Sequence, residues 1–173
     1  VGVFVSFNLS QLGMILHWTR LLRTETDPAT RRRMFRSRLI NSFDNYQVIF
    51  EADNGKDLKE KLGKNVIPDI ILLDVNMPES DGYETARWIY KNYPQVKVLA
   101  LSMFSDEGTI IRMLRLGAKG YIMKNADPEE LKLALDSVLK KDFYLSEYIS
   151  GKIISGLHKD IDMPEEPISL NDK

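Results

Sequence analysis

No cysteine occurs anywhere in the 173 residues, which excludes disulfides, thiolate metal sites and cysteine nucleophiles and fits a reducing, cytoplasmic setting. Histidine is nearly as scarce. His17 and His158 stand alone in sequence, so neither a zinc site built on histidine nor a histidine-based catalytic triad is expected. An excess of one charge is missing too: 24 basic against 25 acidic side chains leave a net charge of −1, and no bulk pull toward nucleic acid or membrane follows. No glycine-rich loop follows a first strand, which removes the usual cradle for a flavin or dinucleotide phosphate. Internal repeats and low-complexity tracts are also absent. What is present is 43% hydrophobic residues over a length suited to one domain, enough for a sizeable core.

The most informative stretch is Pro68 to Ser80, PDIILLDVNMPES. Asp69-Ile70-Ile71-Leu72-Leu73 is a short apolar run rich in β-branched residues and bounded by prolines, the pattern of a strand covered on both faces. Asp74 stands where that strand runs out. In an open parallel sheet the carboxyl ends of the strands line the ligand crevice, so a carboxylate there is placed for chemistry; alone, it is equally well a turn former or a helix cap.

Around it, strands and helices alternate. Gln47–Ala52 reads as a strand, then Asp53-Asn54-Gly55 as a turn into a helix carrying Leu58 and Leu62. Asp81 with Glu84 three residues on is a capping box opening a helix toward Tyr93-Pro94. Val96–Leu101 is a strand ending at Ser102; Ser105-Asp106-Glu107 opens the next helix, and Gly117 stops it. Gly120–Met123 is a last strand ending at Lys124, and Asp127-Pro128 caps a helix with Leu131, Ala134, Leu135 and Val138 on one face. That rhythm predicts a parallel sheet with helices on both sides. Leu145–Leu157 reads as one more helix, and Asp160–Lys173, with its prolines, as a linker. The arginines between Arg20 and Arg38 alternate with Phe35, Leu39 and Ile40 at helical spacing, which favours a solvated helix face over a phosphate-binding patch.

Three successive strands thus finish in Asp74, Ser102 and Lys124, and the register of a parallel sheet brings all three to one edge. Together they form a kit for accepting a phosphoryl group: a carboxylate nucleophile, a hydroxyl for the transferred oxygens and an ammonium to balance charge. The segments PDIILLDVNMPESDGYE, VLALSMFSDE and GAKGYIMKNADPEEL resemble the receiver domain of two-component response regulators, nearest the branch with a C-terminal LuxR/NarL-type helix-turn-helix. The resemblance covers about residues 39–147 and implies an α/β, flavodoxin-like (CheY-like) doubly wound sheet of five parallel strands in the order 2-1-3-4-5. It also implies that Asp74 is the phosphoacceptor, that the Asn76 backbone carbonyl and Asp74 bind Mg2+, and that Ser102 and Lys124 complete the site. Tyr121 would be the aromatic that swings inward on activation. A sensor histidine kinase is the implied donor, and a homodimer through the 106–140 face an implied output. DNA would be reached only through an effector domain beyond these residues, and no membrane partner is expected.

The front of the chain departs from the family, whose first strand ends in a pair of metal-binding acids. Two placements are open. Counting back from Glu51-Ala52 puts the pair at Asp27-Pro28 with Glu25 nearby, but no apolar strand precedes it. Alternatively residues 1–24 hold the first strand and helix, with Val5 and Ser6 standing where the acids would be, 25–142 the rest of the receiver and 143–173 a C-terminal helix and linker. The second placement removes the metal; its functional counterpart is a pseudo-receiver that signals by protein contact alone. An enzyme on the same sheet, such as a haloacid-dehalogenase-type phosphatase, is disfavoured because Asn76 replaces that family's usual second aspartate, so no enzyme activity is expected beyond weak self-dephosphorylation.

Overall fold

The computed structural model describes residues 2–7, 36–62, 67–77 and 80–161. Strands β1 (Gly2–Phe7), β2 (Tyr46–Ala52), β3 (Ile70–Asp74), β6 (Lys97–Ser102), β7 (Ala118–Met123) and β8 (Tyr144–Leu145) form one sheet in the order β2-β1-β3-β6-β7-β8, and the two-residue strands β4 (Asn76–Met77) and β5 (Ser80–Asp81) pair separately. Helices are α1 (36–41), α2 (Gly55–Leu62), α3 (Gly82–Asn92), α4 (Glu107–Arg115), α5 (Pro128–Lys141) and α6 (Glu147–Ile161).

The core divides along the alternation of β3. Ile71 and Leu73 face Leu58, Ala86, Ile89, Ile110 and Met113 of α2, α3 and α4, whereas Ile70 and Leu72 face Ile40 of α1 and Leu131, Leu135 and Val138 of α5. Every β3 residue is buried, which explains why its sequence is a continuous apolar run rather than an alternating one. Each of the four apolar side chains, Ile70 to Leu73, contributes about 1.5–3 kcal/mol by leaving water. Among the described residues, no helix is long and apolar enough to cross a membrane.

The strand order is the expected 2-1-3-4-5 with β8 added outside β7. β1 differs in direction: it runs antiparallel to both β2 and β3, with Val3 opposite Leu72 and Val5 opposite Ile70. Its carboxyl end therefore lies at the edge away from Asp74, so the placement that puts Val5 and Ser6 in the acid-pair positions fails on register. The apolar content that makes residues 2–7 a strand carries no information on direction.

Candidate functional site

Parallel register brings the three strand ends together. Asp74 pairs with Leu101, the residue before Ser102, and Ser102 pairs with Met123, the residue before Lys124. The Ser102 carbonyl accepts the Lys124 N–H at 2.8 Å, and the Leu101 carbonyl accepts the Val75 N–H at 2.9 Å, so the ladder continues past the strands into the site. Lys124 Nζ reaches Asp74 Oδ2 at 2.5 Å, and Asp74 Oδ1 accepts the Asn76 N–H at 2.9 Å.

The pair is largely shielded, with side-chain exposures of 20% for Lys124 and 10% for Asp74. Desolvation offsets much of the attraction in such a pair, but either charge left alone there would be costly. Gly82, at the start of α3, keeps the rim tight: a Cβ would stand 2.5 Å from the Val75 carbonyl oxygen and 2.7 Å from that of Asp74. Asp81 before it caps the helix by accepting the Tyr83 N–H at 2.9 Å.

Ser102 is fully buried, and its Oγ accepts the Phe104 N–H at 3.0 Å. Tyr121 is fully buried as well, already turned inward, and its hydroxyl donates to the Phe104 carbonyl at 2.6 Å. Burial pushes the Tyr121 hydroxyl pKa up, a hydrogen bond with Ser102 opposes the shift, and the charge of Asp106 adds to it. Phe104 is thus held on both backbone groups while its ring, and Met103 beside it, stay about 60% exposed. The sequence gives no sign of this role, because the backbone of Phe104 performs it; the signal within reach was the apolar pair Met103-Phe104 between a strand and an acid-capped helix.

Asp74 and the Asn76 carbonyl are hard oxygen donors on one short segment, the type magnesium takes, usually as one or two carboxylates with waters and phosphate oxygens. Among the described residues no group of three or more metal-ligating side chains gathers at this edge. Glu25 and Asp27 lie outside the described residues. An open hollow of about 360 Å³, lined by Tyr90, Lys119, Asp142 and Phe143, sits at the amino end of β7, away from Asp74.

The order of the sheet, its flanking helices and the acid at the end of β3 define a CheY-like receiver fold. The family model described as the response regulator receiver domain matches residues 24–136, and the chain belongs to that family. It is 30% identical over 132 residues to the transcriptional regulatory protein DegU of Brevibacillus brevis, covering 76% of this chain and 56% of that protein. To the oxygen regulatory protein NreC of Staphylococcus aureus it is 32% identical over 142 residues, 79% of this chain and 65% of the relative. The crystal structure of a LuxR-family two-component response regulator from Aurantimonas superposes with a TM-score of 0.69 at 26% identity, covering 76% of this chain and 91% of that one. These similarities place the domain in the LuxR/NarL branch, and the chain spans between 56% and 65% of the length of these curated relatives. The matched span opens at residue 24 and so takes in Glu25 and Asp27.

Proposed function

We propose that Asp74 accepts a phosphoryl group from the phosphohistidine of a sensor histidine kinase, and that the acyl phosphate so formed switches the α4–β7–α5 face to control an output, transcription through a DNA-binding domain. The observation that carries this reading is the contact between Asp74 and Lys124 with Ser102 buried one register step away. A carboxylate oxygen of Asp74 forms the new O–P bond while the N–P bond of the donor breaks, its electron pair returning to the imidazole. Little covalent work falls to the protein; positioning and charge balance supply most of the effect. Magnesium, held by Asp74, the Asn76 carbonyl and acids such as Asp27 and Glu25, would neutralise the incoming phosphoryl oxygens. Lys124, freed from the carboxylate, pairs with the added charge, and the Ser102 hydroxyl donates to a phosphoryl oxygen.

The test is intact-mass measurement after incubation with magnesium and acetyl phosphate, with Asp74→Asn in parallel. A phosphate-sized gain confined to the unmutated protein supports the reading. No gain in either protein supports instead a pseudo-receiver that works by contact alone.

A further inference from the structure

The segment between β6 and α4 is tied in three directions. Ser102 Oγ holds the Phe104 N–H, the Tyr121 hydroxyl holds the Phe104 carbonyl, and Ser105 Oγ shares a 3.0 Å hydrogen bond with the Tyr148 hydroxyl on α6. The first bond belongs to the Asp74 pocket, the second to the core and the third to the C-terminal helix. One short backbone segment therefore touches all three.

The hold of α6 on the domain is narrow. Ile149 is fully buried in the same cluster as Ile110 and Met113 of α4, and Gly156 packs so closely that the Glu107 carboxylate fills the space a Cβ would take. Ile153 packs partly buried against the same cluster, whereas Tyr148 is 56% and Ile154 55% exposed. Elements held by few buried contacts open locally at a small fraction of the global stability, so one lost bond changes their open population measurably.

We infer that α6 is a strap on α4 released by events at Asp74 through the Phe104–Ser105 backbone. The inference rests on the phosphoacceptor reading above. When the Ser102 hydroxyl moves to a phosphoryl oxygen on Asp74, either its bond to the Phe104 N–H breaks or the segment follows it; both displace Ser105 from Tyr148. The Tyr148 hydroxyl then loses its partner, and the hold of α6 falls back on its packing at Ile149, Ile153 and Gly156. A ligand shifts such an equilibrium only by contacts that differ between the two states, and the Ser102–Phe104 bond is the differing contact.

Hydrogen exchange of peptides covering residues 147–161 in the full chain tests this. With acetyl phosphate and magnesium, under conditions where intact mass shows the phosphoryl gain, amide exchange in α6 is expected to rise while β3 and β6 stay protected. Tyr148→Phe and Ser102→Ala should each raise α6 exchange without phosphorylation, on the order of three-fold for loss of one hydrogen bond. A mass gain with unchanged α6 exchange overturns the strap and leaves the phosphoacceptor standing. Absence of any mass gain removes the phosphoacceptor reading, and the two variants then decide the linkage: unaltered α6 exchange in both overturns it, and raised exchange in both upholds it.

Discussion

Asp74 and Lys124 are worth more as a pair than either is alone. With Asp74 only 10% exposed, Lys124→Met should leave a shielded carboxylate without its counter-charge and cost about 1–3 kcal/mol in urea unfolding. Adding Asp74→Asn to Lys124→Met should recover part of that loss, because the amide carries no charge to strand; equal or greater destabilisation in the double variant would contradict the account. Asp106 offers a second test, by pH. Its hydrogen bond from the Thr109 N–H holds the carboxyl below its ordinary 3.8, so the cap's contribution is complete above 3.8 and is lost as pH falls through the lower folded value. Asn caps nearly as well but does not titrate. Asp106→Asn should therefore melt much like the native protein at neutral pH and lose less stability between about pH 5 and 3, as thermal unfolding followed by circular dichroism would show.

The helices around the site begin where their acids say they should. Asp106 and Asp127 accept from the third residue on, Thr109 and Glu130, at 2.9 and 2.7 Å, and Pro128 follows Asp127 at the first helical position. Both starts were legible because capping is a local bond between near neighbours. Gly82 was not, since its requirement comes from the carbonyls of Asp74 and Val75, which reach it only once α3 folds back over β3. Gly82→Ala should force α3 away from the strand end, cost about 1–3 kcal/mol in chemical denaturation and slow the phosphate-sized mass gain. β8 escaped notice for a different reason. Two residues carry no periodicity, and Tyr144-Leu145 becomes a strand only because Gly120 lets its backbone approach β7.

The two-sided core followed from the alternation of apolar runs with capped helices, and so did the meeting of Asp74, Ser102 and Lys124 at one edge; the order of the strands came only from the resemblance to the receiver family. The direction of β1 did not, because the side-chain pattern of a strand reads the same from either end. The front of the acid site stayed open for a related reason: Glu25 and Asp27 have no apolar strand before them to fix their place. β1 lies between β2 and β3, so deleting residues 1–7 should detach β2 from its neighbour and abolish the cooperative urea transition followed by far-ultraviolet circular dichroism. Survival of a sharp transition would show that another segment can fill that slot.

Because β1 runs against its neighbours, Gly2 leaves the sheet beside Ala52, at the rim where Asp74 opens. A purification tag or fluorescent reporter fused ahead of it would emerge over the mouth of the pocket, so on the phosphoacceptor reading such a fusion should slow the phosphate-sized mass gain with the Asp74–Lys124 pair intact.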